Sequence, residues 1–399
     1  MPDDPQRILV LSYRHVGDAL FGTPALRALR RRFPQAHITV IVGRQAEAIL
    51  KENPHIDDLI VLPRTSFGEK WAIRGRLRAG RYDTGILFQH TFLNALFLCT
   101  LGCRRRVALD WKGCGPLLTH RAPWEPHRHE ADRYLAVVGA LGAPGDGGGL
   151  EMPVREPERA WAARFLAESG VGTGDRLVGL FPGSSPEWPI KRWPAERFAA
   201  VAEALAREHG VRILLVGGPS DAEVASRVVQ AMVGPETKDR RPETRDQERH
   251  SGHPARGYSP ALPVTSPESG PEHAGSSAVS GLSSPVSGLR RPVLVDAVGK
   301  TDLKQLAALL ERCELVIAND TGPMHLATAV GARVLALVGP GDPRKTGPYG
   351  RGHRFIQKVA PASTKSWKRR KENPMEPITV AEVLRAAIEM LGAAPVEGA

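Results

Sequence analysis

The sequence has little that would commit the chain to a bilayer interior, a disulfide scaffold or a metal cluster. Only four cysteines occur in 399 residues, Cys99, Cys103, Cys114 and Cys313. None is paired with histidines at zinc-ligand spacing, so no structural zinc site is expected. Cys99 and Cys103 can share a helical face, but four such thiols in a large chain read as reduced residues of a reducing compartment. Residues 1–14 lack a basic flank, an apolar stretch and a cleavage site in sequence, so no signal peptide is expected. The longest apolar patches, such as TFLNALFLCTL at 91–101, are too short to span a bilayer. No zinc finger, RNA-binding aromatic pattern or helix-turn-helix is found, which leaves nucleic acid the weakest partner class. A D-x-D triplet and a G-x-x-x-x-G-K-[ST] loop are also missing. The expectation is a cytoplasmic protein with no resident metal and no cofactor.

What is present is basic. Net charge is +11, with 54 Lys and Arg against 43 acidic residues. The excess gathers in RRRF (30–33), RGRLRAGR (74–81), CRRR (103–106) and KRRK (368–371). Such runs attract an anionic membrane surface or a phosphorylated substrate; they also suit the solvated face of an arginine-rich protein.

Short apolar runs alternate with helical patterns almost from the start. RILVLS (7–12), HITVIV (37–42), DLIVL (58–62), TGILF (84–88) and RVAL (106–109) read as strands. TPALRALRRRF reads as a helix with Thr23 as cap and Pro24 at its first position. Helix Glu158–Ser169 is followed by GVGTGD, a linker, and the pattern then restarts. RLVGLF (176–181), VRILLV (211–216), VLVDAV (293–298), ELVIAN (314–319) and RVLALV (333–338) are strands. Helices at 195–208, 221–232, 302–313 and 323–330 separate them. Near-continuous apolar strands between helices imply parallel sheets covered on both faces. The expected class is α/β, with two doubly wound, Rossmann-like domains at 1–170 and 175–360. A last helix at 378–392 opens with the capping box Thr379-x-x-Glu382. Residues 235–290, rich in Pro, Ser, Gly, Glu and Arg and without periodicity, read as a disordered insertion in the second domain.

Four strand-to-helix junctions carry more polar chemistry than a connecting loop needs. In YRHVGDALFGTPAL, Gly17 allows a tight turn, and Asp18 is either a helix cap or a carboxylate aimed into a cleft. In FPGSSPEWPIKRWP, Gly183, Ser184 and Ser185 precede the basic pair Lys191 and Arg192. Backbone amides and hydroxyls there suit phosphate oxygens, with a lysine to neutralise them. In VGGPSDAEV, Asp221 or Glu223 either favours the positive helix end or accepts hydrogen bonds from a ribose. In IANDTGPMHLATAVG, Asp320 ends a strand, Thr321 and Gly322 turn, and Pro323 suits a first helical turn. Free amides at that terminus make a diphosphate seat, and His325 lies one turn in.

These stretches together resemble glycosyltransferase family 9, the bacterial ADP-heptose:lipopolysaccharide heptosyltransferases. The resemblance runs over VGDALFGTPALRAL, PGSSPEWPIKRWPAERFAAVAEAL, LLVGGPSDAE and DLKQLAALLERCELVIANDTGPMHLATAVGARVLALVGPGDP. It covers both domains from about Arg7 to Tyr349 and the last helix. It implies a GT-B fold, an inverting and metal-independent transfer, and Asp18 as general base. It further implies that Lys191 contacts the diphosphate and that Asp221, or Glu223, contacts the ribose. Asp320, Thr321, Gly322 and His325 would hold the donor sugar and phosphates, with Ser184 and Ser185 beside them. The implied partners are a nucleotide-diphosphate sugar and a lipid-linked glycan acceptor, with peripheral contact at the inner face of the inner membrane. A nucleotide-sugar epimerase and a non-catalytic nucleotide-sugar-binding scaffold are the other readings. The family's cysteines ahead of the final helix are absent here, where KRRK stands instead.

Overall fold

The computed structural model describes residues 4–13, 15–111, 113–233, 294–362 and 372–393. The expected insertion at 235–290 and the KRRK run lie outside the described residues.

Six parallel strands form a first sheet: β1 (Arg7–Tyr13), β2 (His37–Gly43), β3 (Asp58–Leu62), β4 (Thr84–Leu87), β5 (Arg105–Leu109) and β6 (His120–Ala122). Six more form a second: β7 (Leu177–Phe181), β8 (Arg212–Leu215), β9 (Leu294–Asp296), β10 (Leu315–Asn319), β11 (Arg333–Val338) and β12 (Arg354–Gln357). The orders are β3-β2-β1-β4-β5-β6 and β12-β11-β10-β7-β8-β9, the same doubly wound arrangement twice. All five residues of β7 and all five of β10 are buried, as strands covered on both faces must be. In such sheets the strand order reverses beside the first strand, here between β1 and β4 and between β7 and β10. Helices leave in opposite directions at that point and open a crevice at the carboxyl ends.

The edge strands β6 and β12 are additions to the sequence reading. His120–Ala122 and Arg354–Gln357 are short and partly exposed, so neither shows an apolar run. They exist because β5 and β11 offer them open ladders.

The first helix corrects an expectation. It spans Val16–Arg32, with His15 as N-cap, so Gly17 and Asp18 lie in its first turn and Pro24 in its interior. Thr23 is not a cap. Proline lacks the N–H that would bond the carbonyl four residues back, which is that of Leu20. The Thr23 hydroxyl donates to the Leu20 carbonyl oxygen at 2.8 Å and takes over that bond. The Thr23 hydroxyl oxygen in turn accepts from the Glu151 backbone N–H at 3.0 Å. The helix therefore passes through a proline that would otherwise break it.

One buried apolar cluster runs through both halves, from Leu20, Leu26 and Leu29 to Leu309, Met324 and Leu326. Helix Glu156–Glu168 packs on helix Leu303–Glu311 of the second half, with Arg159 bonded to Glu311 at 2.8 and 2.9 Å. The Met152 N–H donates to the Ala329 carbonyl at 3.1 Å. The linker pattern sits at 170–175, but in space the chain has already reached the second half before residue 156. The last helix, Val380–Gly392, opens with the Thr379 and Glu382 capping box and packs on helix Ala195–His209.

Candidate active site between the two sheets

The second half contributes the loops after β7 and β10. Asn319 ends β10 and is fully buried; its amide donates to the carbonyls of Pro182 and Gly183 at 2.8 and 3.1 Å. Its Oδ1 accepts from the Trp193 N–H at 3.1 Å. One side chain thus ties the two loops together at both ends of 182–193. Arg192 donates through Nε to the Ser184 hydroxyl at 3.0 Å, and that hydroxyl donates to the Trp188 carbonyl at 3.1 Å. Ser184 is buried and braces the loop, whereas Ser185 is exposed at its tip.

The brace brings Lys191 to Asp320. The Lys191 Nζ lies 2.8 Å from Asp320 Oδ2 and 3.2 Å from its carbonyl oxygen, while the lysine itself stays half-buried. Gly341 lets the Asp320 carboxylate close on the loop after β11, since an added Cβ there would stand 2.7 Å from Oδ2. Thr321 is the N-cap of helix Gly322–Ala329 and its side chain makes no cap bond. Its hydroxyl bonds the Asn319 carbonyl at 3.3 Å instead. The terminus thus presents backbone N–H groups uncapped beside a lysine, a seat for phosphate oxygens.

Asp221 lies beneath this seat. Its carboxylate accepts from the Gly218 N–H at 2.9 Å and packs on Gly183, where an added Cβ would stand 2.2 Å from Oδ1. Burial raises its carboxyl, against the pull of the Gly218 amide and Arg192. The Ser184 backbone N–H adds a smaller pull in the same direction as those two. Glu223 is exposed on the following helix, close enough to Arg227 to act on its charge.

The first half presents Asp18. Burial raises its carboxyl, and His15, through charge and a backbone N–H, opposes the shift. Glu130 and Tyr134 of helix Glu130–Gly139 feel its charge. Glu130 is ion-paired with buried Arg133, which also donates to the carbonyls of Glu125 and Pro126 at 3.1 and 3.0 Å. A carboxylate held away from water among these groups binds a proton more readily than a surface aspartate.

The two halves meet at His325. An added Cβ at Gly17 would stand 3.5 Å from its Cδ2, so the Asp18 turn faces the helix that starts at Gly322. Desolvation lowers the His325 imidazole to about 4; the Asp320 charge opposes this, and His129 and Lys191 add to it. The ring is therefore neutral near pH 7, and its buried Nδ1 makes no hydrogen bond. Phe21 packs edge-on against His325 at 4.6 Å and against His129 at 5.1 Å, and His129 lies 4.7 Å from Tyr349. Phe21 and His129 come from the first half, and His325 and Tyr349 on either side of them come from the second. His129 accepts from the Ala131 N–H at Nδ1 and donates from Nε2 to the Gly347 carbonyl at 3.2 Å, which fixes its tautomer. The Tyr349 hydroxyl donates to Asp132 at 2.6 Å.

Lys191 and Asp320 thus meet at the start of helix Gly322–Ala329, whose His325 stands against the Asp18 turn, while Ser184 and Asp221 hold the neighbouring loops. Sequence reasoning missed Asn319, Phe21, His129 and Tyr349. Only Asn319 left a signal, as a polar residue closing an apolar strand.

Comparison with known proteins gives the family and the fold. A family model described as glycosyltransferase family 9 (heptosyltransferase) matches residues 70–238 and 278–378, more than half of the chain. The chain is 24% identical to lipopolysaccharide heptosyltransferase 2 of Salmonella typhimurium over 365 residues, covering 88% of each protein. A crystal structure of a family 9 glycosyl transferase from Veillonella parvula superposes with a TM-score of 0.74 at 26% identity, covering 98% of both chains. The ADP-heptose lps heptosyltransferase II of E. coli superposes at 0.67 with 21% identity, over 97% of this chain and 98% of that one. The fold is GT-B.

Proposed function

Since this chain belongs to glycosyltransferase family 9, we propose that it moves heptose from ADP-heptose onto the core of a lipopolysaccharide, with inversion and without a metal. The observation that carries the reading is the Lys191–Asp320 pair at the uncapped terminus of helix Gly322–Ala329, facing the Asp18 turn across His325.

The chemistry follows from that geometry. The donor diphosphate sits on the Thr321 and Gly322 amides and competes with Asp320 for Lys191. The freed Asp320 carboxylate accepts hydrogen bonds from sugar hydroxyls. Neutral His325 offers a hydrogen bond without adding charge beside the sugar. Asp18 takes the proton of an acceptor hydroxyl, whose oxygen attacks the anomeric carbon from the face opposite the diphosphate. The bond from that carbon to the diphosphate oxygen breaks, and its electron pair leaves with ADP. Lys191 and the helix amides stabilise the charge that grows there, the place where preorganised electrostatics contributes most. Asp221 or Glu223 positions the ribose. The acceptor is lipid-linked, so the enzyme works at the inner face of an anionic membrane.

Asp18→Asn tests the reading. With ADP-heptose and a lipid A-core acceptor, turnover should fall by about 10²–10⁴-fold while calorimetry shows ADP binding intact. Because burial raises the Asp18 carboxyl, the wild-type rate should decline on acidification at a higher pH than an ordinary aspartate would give. Turnover of the Asn variant equal to wild type sinks the assignment of the base.

A further inference from the structure

Three helices cover one face of the first sheet on the β3 and β4 side: Phe67–Ala72, Arg74–Ala79 and Phe92–Leu101. The last carries no charged residue in ten. Its inner side, with Ala95, Phe97, Leu98 and Leu101, is buried, yet Phe92, Leu93 and Leu96 are 50%, 50% and 39% exposed on its outer side. A helix apolar all round belongs in a core or in lipid, and this one has a core on one side only. Trp71 continues the patch: it is 48% exposed and its ring lies 6.4 Å from that of Phe97. Among the described residues, four of the six exposed large hydrophobics are in this patch.

The surroundings are cationic. Residues 63–106 hold nine Lys or Arg and two acidic residues. Arg64, Arg76, Arg78 and Arg81 are exposed, and the Arg74 guanidinium lies over the Trp71 ring at 5.2 Å. Indole and phenyl rings flanked by arginines match the boundary between acyl chains and anionic headgroups. An acidic protein partner would leave the uncharged helix unexplained. Phe92 follows the carboxyl end of β4, and Phe67 follows that of β3, so the apolar patch lies toward the sheet edge that carries Asp18. Among the described residues no helix is long and apolar enough to cross a membrane, so contact is from one side.

We propose that the outer face of helices Phe67–Ala72 and Phe92–Leu101 docks this protein on an anionic lipid bilayer and turns the Asp18 edge toward sugars borne on that surface. The proposal rests on the reading of a lipid-linked acceptor, and its test separates the two. The intact protein is co-sedimented with vesicles of phosphatidylethanolamine and phosphatidylglycerol, and with vesicles of phosphatidylcholine alone. Wild type should favour the anionic vesicles. Trp71→Ser, Phe92→Ser and Leu93→Ser combined should lose at least about tenfold in partitioning, and Arg76→Glu with Arg78→Glu should lose the anionic preference. The triple variant replaces half-exposed side chains, so its melting temperature should hold. Its transfer to a deacylated, soluble acceptor should hold as well, while transfer to a vesicle-embedded acceptor falls. Equal partitioning of wild type and triple variant overturns the proposal. So does a wild-type dimer that the triple variant abolishes, which would put a second copy on the patch. Vesicle binding without any sugar transfer would leave the docking face standing and remove the proposed function; transfer without vesicle binding would do the reverse.

Discussion

Thr23 makes two bonds with one hydroxyl, donating to the Leu20 carbonyl that Pro24 leaves without a donor and accepting from the Glu151 N–H. It is also fully buried, so loss of the oxygen strands both partners away from water. Thr23→Val keeps the shape and removes both bonds. It should cost about 1–3 kcal/mol in urea unfolding, with Thr23→Ser recovering most of it. Equal unfolding midpoints for Val and wild type would show that the helix tolerates its proline unaided. The sequence showed the Thr-Pro pair but suggested a helix start, because that is where proline is most comfortable. Compensation by a neighbouring hydroxyl has no signature in the order of residues. Lys191 and Asp320 were each legible as phosphate- and sugar-facing types, but not as a pair, since 129 residues separate them.

At the scale of elements, the loop after β7 and the turn after β8 depend on each other through a carboxylate and two glycines. Asp221 is anchored by the Gly218 amide and stands against Gly183. A methyl group at 183 would meet Asp221 Oδ1 at 2.2 Å and Cγ at 2.4 Å, so the carboxylate held by the Gly218 amide would have to move. Gly183→Ala should therefore destabilise by about 1–3 kcal/mol in urea unfolding and weaken ADP binding in calorimetry. Unchanged values for both would mean that Asp221 can swing away freely. Ten strands were readable because each lies in an apolar run between polar junctions. The short edges β6 and β12 were not, because pairing with a neighbour, rather than composition, makes them strands. Helix Gly322–Ala329 was readable almost to the residue, since Thr-Gly-Pro limits where a helix can begin.

At the scale of the whole molecule, packing changes the acid–base behaviour of what it encloses. His90, His325 and His353 are each lowered to about 4 by desolvation. A histidine held neutral in the fold but free to protonate at 6.5 when unfolded stabilises fully above about pH 6.5, and that stability is lost as pH falls toward 4. For a buried ring such as His325 the term is on the order of 3 kcal/mol. The raised carboxyls of Asp18, Glu130 and Asp221 act in the opposite sense on acidification, so the comparison that isolates the histidine is with a variant. His325→Gln should lose less stability than wild type between pH 6.5 and 4 in urea titrations; parallel slopes would place the ring in water. The amino-acid sequence by itself determined two parallel doubly wound sheets and the polar junctions that end their strands. Those depend on residues close in the chain, through apolar runs, caps and prolines. Only the tertiary structure decided that Lys191 meets Asp320, that Gly17 stands against His325, and that His325 is uncharged. Distances between remote residues and the exclusion of water are set by packing, and packing is a property of the closed molecule.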